Sequence, residues 1–569
     1  MRYLALACDY DGTLATDGVV DDATLAALER LLASGRRLIL VTGREMEDLL
    51  KVFPHVRLFE RIVAENGALM YRPATREMRV LGEAPPTAFV QTLRAKGVPL
   101  SVGHSIVATW EPHESVVLET IRELGLELQV IFNKGAVMVL PSGANKGTGL
   151  HAALAELGLS VHNVVGIGDA ENDHAFLSVC ECAVAVSNAL PMLKERADIV
   201  TDGARGFGVQ EIIDQLVADD LRAAEPRLTR HHILLGTTAD GQELLLPPHG
   251  TTVLVAGPSG SGKSTAAIGL LERLAEGGYQ FCLVDPEGDY ETFDHAVGLG
   301  DGQRPPTIDG VLDLLKSSEH NAIVRLVGLP LADRPAFLAG LLPRLQEQRA
   351  LTGRPHWIAL DEAHHMLPAS WEGAALALPQ DLGGLLMVTV HPDHVAPAVL
   401  AGVNVLLAVG AAPDQTIRSF CATLGREPPP VEAHSPESGE VLAWRWHVDE
   451  RPLLVRLAPA IEEHRRHRRK YAEGELDPDR SFYFRGPEDK LNLRAQNLSL
   501  FTQIAEGVDD ETWLHHLRGG DYSRWFREAI KDDGLAEAAA RVERQHGLSA
   551  RESRERIRLA IQERYSPPA

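Results

Sequence analysis

Tyr3-Leu4-Ala5-Leu6-Ala7-Cys8-Asp9-Tyr10-Asp11-Gly12-Thr13-Leu14 is the stretch on which the fold turns. Its first six residues read as a buried strand, because apolar side chains run on without alternation. Two carboxylates at i and i+2 then leave the strand end, where open α/β sheets bind their ligands. Gly12 permits the tight turn that follows. Working outward, residues 22–34 bring Leu25, Leu28, Leu31 and Leu32 to one helical face, with Asp21 and Asp22 before them and Gly35 after. Arg37–Val41 is the next strand. This rhythm predicts a parallel sheet covered by helices. Paired acids at its edge suit a metal, with one carboxylate as nucleophile and the other handling protons.

Three more elements share this chemistry. Val41-Thr42-Gly43-Arg44 offers a hydroxyl and backbone N–H groups to an anion, and Asn145-Lys146-Gly147 sets a cation before a helix. The strand Val164–Ile167 leads into Gly168-Asp169-Ala170-Glu171-Asn172-Asp173. Together the four elements resemble the haloacid dehalogenase superfamily of phosphatases, and within it the Cof-like branch, which includes sugar-phosphate and phosphoglycolate phosphatases. The resemblance spans about residues 1–212 and extends to Glu65-Asn66-Gly67-Ala68 and Ser187-Asn188-Ala189. It implies Asp9 as the nucleophile, also beside the metal, and Asp11 as general acid/base with its carbonyl on Mg²⁺. Thr42 and Lys146 would hold the phosphoryl oxygens, Asp169 would bind Mg²⁺, Asp173 would support the metal site, and Asn172 would stand near the phosphate. The long interval between Thr42 and Lys146 leaves room for an inserted α+β cap near 82–140. A closing cap favours a small phosphorylated substrate over a polymer end.

Farther on, the strand Thr252–Ala256 enters Gly257-Pro258-Ser259-Gly260-Ser261-Gly262-Lys263-Ser264-Thr265, a complete G-x-x-x-x-G-K-[ST] in strand–loop–helix context. Gly257, Ser259, Gly260 and Gly262 let backbone N–H groups wrap phosphates where Lys263, Ser264 and Thr265 open a helix. Lys263 is expected at the β/γ-phosphates and Ser264 at Mg²⁺. Trp357–Leu360 ends in Asp361-Glu362, with Asp361 expected near Mg²⁺ and Glu362 activating water. Between them, Phe281–Val284 leads into Asp285-Pro286-Glu287-Gly288-Asp289-Tyr290.

This set resembles the HerA/FtsK group of P-loop ATPases over roughly 233–458. The resemblance implies a RecA-like domain, ATP as ligand and a homo-oligomeric ring, a hexamer. An arginine from the neighbouring subunit would complete each site, with Arg344, Arg349, Arg354 and Arg418 as candidates. DNA is the partner such motors act on, and anti-phage defence a setting in which they are paired with an effector enzyme. Two departures stand out. Thr389 is followed by Val390 and His391 rather than by Gln, and the phosphatase-like half occupies the place of those motors' β-barrel. Two alternatives remain open. One is a polynucleotide kinase/phosphatase-like end-processing enzyme with Asp285 as kinase base. The other is a nucleotide-gated scaffold whose only chemistry is the phosphatase.

At 569 residues the chain exceeds one core, and 45% apolar with 24% charged residues is a globular balance. A net charge of −23 argues against a general nucleic-acid coat. Five scattered cysteines (Cys8, Cys180, Cys182, Cys282 and Cys421) make no disulfide framework. The N-terminal apolar stretch meets Asp9 too soon for a signal peptide, and no apolar run suffices to span a bilayer; a cytoplasmic location without membrane contact is expected. The expected layout is a phosphatase domain over 1–215, a linker over 216–232, an ATPase domain over 233–460 and a small helical domain over 461–569. The last would begin with the basic cluster Arg465, Arg466, Arg468, Arg469 and Lys470, have no strands, and carry Trp513, Trp525 and Phe526 in its core.

Overall fold

Ala5–Cys8 lies at the centre of an eight-stranded sheet in a computed structural model of the chain. The structure describes residues 1–569 except 134, 291–292, 371–382, 432–435, 461–480, 531, 546 and 566–569. The strand order is Ile199–Val200, Cys182–Ala185, Val164–Gly168, Ala5–Cys8, Arg37–Val41, Arg61–Ala64, Leu69–Arg72 and Glu77–Val80. The strands from Ile199–Val200 through Arg61–Ala64 are parallel, and the last two run antiparallel. Cys8 pairs with Ile167 on one side and Leu40 on the other. That register brings Asp9, Thr42 and Asp169 off one carboxyl edge at nearly one level. Every residue of Ala5–Cys8 and Val164–Gly168 is buried, as continuous apolar strands require. The helix Asp22–Ala33 is capped by Asp21, whose carboxylate accepts from Thr24 N at 2.9 Å. It buries Ala27, Leu28 and Leu31.

A smaller antiparallel sheet, in the order Ser101–Val102, Val107–Trp110, Ala136–Pro141 and Leu128–Asn133, is inserted after Glu77–Val80. With the helices Thr87–Ala95 and Glu114–Glu123 it closes its own core around Phe89, Leu93, Val107, Val117 and Val139.

An eleven-stranded sheet follows. Thr252–Ala256 lies between Val405–Val409 and Leu385–Thr389, all parallel. Trp357–Leu360, Phe281–Asp285, Ala322–Arg325 and Val297–Leu299 continue the parallel run on the Leu385–Thr389 side. Glu440–Trp444, Leu453–Leu457, Ile233–Thr238 and Glu243–Leu246 extend the other side antiparallel.

Both sheets belong to one compact unit, Met1–Ala458. The stretch 216–232, expected as a linker, is packed instead. The helix Gly206–Asp219 runs into it, and Leu221 and Leu228 are buried. Arg230 donates to the carbonyls of Leu177, Ser178 and Cys180 and pairs with Asp198 at 3.0 Å. Leu216, Leu221 and Leu228 are buried and supply apolar surface that holds the stretch down. The two sheets' layers meet through buried polar contacts. Arg354 donates to Gly158 O at 2.8 Å, His162 Nε2 lies 2.7 Å from Gly277 O, and Tyr279 donates to Glu181 at 2.9 Å.

Pro459–Ala569 forms a second unit. Strands persist past 460, contrary to the sequence expectation: Phe482–Phe484 pairs antiparallel with Leu493–Ala495. Three residues each are too few to show a period of two. Helices from Leu498–Gly507 to Ala550–Tyr565 surround Trp513, Trp525 and Phe526, all buried. The basic cluster at 465–470 lies outside the described residues. Among the described residues, no helix is long and apolar enough to cross a membrane.

Candidate active site and phosphate-binding loop

Asp9 leaves the central strand buried, with 4% of its surface exposed. Lys146 opens the helix Lys146–Leu157, whose first turn is fixed by Asn145 accepting from Gly147 N and Thr148 N. The Lys146 ammonium donates to Asp9 Oδ1 at 2.6 Å and to Asp173 Oδ1 at 2.5 Å. The other oxygen of Asp173 accepts from the backbone N–H groups of Asp169 and Ala170 at 2.8 and 2.9 Å. Only glycine fits at 168, because a Cβ there would lie 2.7 Å from that oxygen.

Burial and the Asp173 carboxylate push Asp9 up to about 8, against the pull of Lys146. Burial opposes the charge of Lys146, yet Asp173 and Asp9 together hold it above its ordinary value. Ligand oxygens of Asp9, Asp169 and Asp173 all lie within 4.8 Å of one another. Three carboxylates and one ammonium leave a charge of about −2 if all are ionised, which one divalent cation would balance. The donors are hard oxygens of the kind Mg²⁺ prefers.

Thr42 is buried beside this group, its hydroxyl oxygen accepting from Arg44 N at 3.1 Å, which leaves its O–H to donate. Asn172 donates to Asn66 Oδ1 at 3.0 Å. Asp11, by contrast, is gripped at both oxygens by the Arg44 guanidinium at 2.6 and 2.7 Å, and Arg44 also reaches Asp48 at 2.5 Å. This fork was not readable from spacing, because it depends on a turn bringing residues 11 and 44 together. Asn188 donates to Gly12 O at 2.9 Å and lies 3.4 Å from Asp169 Oδ2, tying the Asp11–Gly12 turn to the acidic loop.

A cavity of about 750 Å³ lies over Asp9, walled by Lys51 and Asn172 from the core and by Trp110 and Asn133 from the inserted layer. Glu65 holds that layer down. Its buried carboxylate accepts from the backbone N–H groups of His104, Ser105 and Ile106 at 2.9, 2.6 and 3.1 Å. Glu65→Leu would strand three amides, at about 1–3 kcal/mol for each that stays buried. The expected result is a protein still folded in its core, with faster protease cleavage around residues 82–86 and several-fold weaker kcat/KM for a phosphomonoester. Unchanged cleavage and turnover would contradict the clamp.

The second sheet carries the glycine loop and the acidic pair expected to bind nucleotide at its carboxyl edge. Gly260 and Gly262 adopt φ of 73° and 96°, and a Cβ at Gly257 would come within 2.1 Å of Val409 O. Ser259 and Gly262 are exposed, Ser264 and Thr265 are half-buried, and Lys263 is buried and donates to Pro258 O at 2.9 Å. The helix Lys263–Glu276 points its N-terminus at this loop. Asp361 is buried and accepts from Glu362 N at 3.0 Å; burial and then Glu362 push it up to about 7. Glu362 sits at φ 43°, 3.4 Å from His364 Nδ1. A non-glycine residue held there is strained, which points to an imposed side-chain position. His364 in turn meets Thr389 Oγ1 at 3.1 Å, a histidine contact the sequence reading missed.

Asp285 is fully buried and accepts from the backbone N–H groups of Glu287, Gly288, Asp289 and Tyr290 at 2.8–3.3 Å. It therefore shapes its own loop. Of the four arginines expected to reach a neighbouring subunit, two are spent internally. Arg354 is buried on Gly158 O and Lys316 O, and Arg349 donates to Pro355 O and Gly383 O. Arg344 and Arg418 are half exposed, near Asp309 and Asp414.

The haloacid dehalogenase-like hydrolase family profile matches residues 6–102 and 112–213. A phosphoglycolate phosphatase of Haloarcula marismortui is 33% identical over 218 residues, 37% of this chain and 95% of that protein. Phosphoglycolate phosphatase 2 of Saccharolobus solfataricus is 29% identical over 220 residues, covering 38% and 93%. A phosphoglycolate phosphatase of Methanothermobacter thermautotrophicus is 30% identical over 225 residues, covering 37% and 96%.

Proposed function

Because the chain belongs, through residues 6–213, to the haloacid dehalogenase-like hydrolases, we propose that Asp9 attacks a small phosphomonoester and carries the phosphoryl group as an aspartyl phosphate. The observation that carries this reading is the buried chain Asp9–Lys146–Asp173, which holds Asp9 in the wall of a cavity beneath the inserted layer. The relatives named for phosphoglycolate make small anionic phosphomonoesters of that kind the first substrates to assay, and Lys51 in the cavity wall offers a cation to a carboxylate.

Asp9 Oδ bonds to phosphorus while the ester oxygen leaves with a proton from Asp11. Asp11 then takes a proton from water, whose oxygen attacks phosphorus, releases hydrogen phosphate and restores Asp9. Lys146 and the Thr42 hydroxyl hold the phosphoryl oxygens. Asp9, Asp169, Asp173 and the Asp11 carbonyl would hold Mg²⁺, which offsets charge between carboxylate and phosphate when bound. EDTA should therefore stop turnover, and restored Mg²⁺ should return it. Turnover that ignores EDTA would sink the metal assignment.

Arg44 orients Asp11 from the cavity wall, and Asp11 carries a proton when its carboxyl leaves that fork. Arg44→Met should lower kcat by about 10- to 100-fold, within the range of general acid–base catalysis, while KM changes little and Arg44→Lys recovers part of the loss. A change confined to KM would instead place Arg44 in substrate binding.

For the second half we infer an ATP-hydrolysing, RecA-like ring motor. The support is the glycine loop at a helix N-terminus with Asp361 and Glu362 on the same sheet edge. Lys263 and Ser264 would hold phosphate and Mg²⁺, Asp361 the metal side, and Glu362 the attacking water. Arg344 and Arg418 remain as groups a neighbouring subunit could supply. Four backbone amides on the fully buried Asp285 weigh against the kinase alternative, which needs it as a base. Native mass with and without ATP tests the ring: a hexamer supports it, and a monomer under both conditions contradicts it.

A further inference from the structure

Val390 follows Thr389 at the end of the strand Leu385–Thr389, and its side chain offers no hydrogen bond. The group that meets Thr389 comes instead from another strand end: His364, two residues past Glu362. His364 Nδ1 lies 3.1 Å from Thr389 Oγ1 and 3.4 Å from Glu362 Oε2. That carboxylate oxygen is buried and accepts no hydrogen bond among the described residues. Buried acceptors are normally paired, and His364 stands within reach to pair this one.

Thr389 fixes where the His364 ring carries its hydrogen. The Thr389 hydroxyl donates to His391 O at 3.3 Å and accepts from His391 N at 3.2 Å, so Oγ1 is left to accept from Nδ1. Burial, then the nearby His365, His391, His394 and Lys263, push the ring down to about 4, so it is neutral near pH 7. The one hydrogen of that neutral ring therefore sits on Nδ1, the nitrogen that both oxygens face. Thr389 also stands opposite Ala256, the residue before the glycine loop, and its carbonyl accepts from Gly257 N at 3.4 Å. Glycine loop, Thr389, His364 and Glu362 thus form one line of neighbours.

We propose that His364 is a positioning residue for ATP hydrolysis: its Nδ1–H, anchored on Thr389, aims the Glu362 carboxylate at the attacking water. This role rests on the ATPase reading of the second half. His364 lends a hydrogen bond and keeps its proton. Glu362 Oε2 takes the N–H, and the other oxygen takes a proton from water. The water oxygen bonds to the γ-phosphorus, the bond to the bridging oxygen breaks, and ADP leaves. The backbone of Glu362, held at φ 43°, brings the carboxylate to that N–H.

Steady-state ATP hydrolysis by the full chain carrying His364→Ala, His364→Gln or His364→Asn tests this, with the melting temperature of each variant measured alongside. An asparagine amide N–H falls near the Nδ1 position, whereas a glutamine amide reaches toward Nε2. His364→Ala and His364→Gln are expected to lower kcat by about 10- to 100-fold, the cost of a misaimed group, with KM changed by less than about threefold. His364→Asn should recover most of the loss. A side chain that only fills space would not separate asparagine from glutamine at equal melting temperature. Ring-nitrogen NMR, with the signal assigned by its loss in His364→Asn, should show Nδ1 protonated and Nε2 bare. Parent-like kcat in His364→Ala, a loss confined to KM, no recovery in His364→Asn, or a proton on Nε2 would each overturn the proposal. A parent chain that binds ATP without cleaving it overturns the ATPase reading and this role together. A parent that cleaves ATP beside an unimpaired His364→Ala overturns this role alone.

Discussion

Asp9→Asn protein is expected to hydrolyse phosphomonoesters on the order of 10⁴-fold or more slowly, while ATP hydrolysis by the same chain stays measurable. The size follows from removing a covalent nucleophile, whose loss leaves only binding and electrostatic assistance. An amide keeps the shape and can still meet Lys146, so the fold should survive. Burial favours the substitution, because it deletes one of three crowded carboxylates. The variant should therefore melt no lower than the parent, which separates lost chemistry from lost structure. Asp9→Asn protein with full turnover would remove Asp9 from the mechanism.

Glu362→Gln should bind ATP and hydrolyse it about 10²- to 10⁴-fold more slowly, since an amide cannot take a proton from water. Lys263→Ala should instead weaken ATP binding, because Lys263 is the buried ammonium at the glycine loop. Phosphatase turnover should persist in both. Normal ATP hydrolysis in Glu362→Gln would retire the water-activating role, whereas a parent chain that binds ATP without cleaving it would favour the scaffold reading.

The strands that carry the motifs were legible because they are short, mostly apolar and mostly end at glycine or an acid. Trp357–Leu360 and Thr252–Ala256 stand in the structure where the sequence pattern put them. Contacts joining residues far apart were not legible. The Arg44–Asp11 fork, the Glu65 clamp on His104–Ile106 and the His364–Thr389 contact depend on how loops of different strands converge. Local pattern cannot encode such meetings. The stretch 216–232 failed for another reason: its many polar residues suggested a tether, while Leu216, Leu221, Leu228 and the carbonyl-capping Arg230 decide its packing.

The central claim is that Asp9 carries phosphate covalently. The direct measurement is rapid acid quench of the full chain with ³²P-phosphoglycolate and Mg²⁺, followed by peptide mapping of the labelled protein. The account predicts a transient label on the peptide bearing Asp9, released by hydroxylamine as an acyl phosphate would be and missing from Asp9→Asn. Steady turnover with no label on that peptide at any quench time, or an undiminished label in Asp9→Asn, would contradict it.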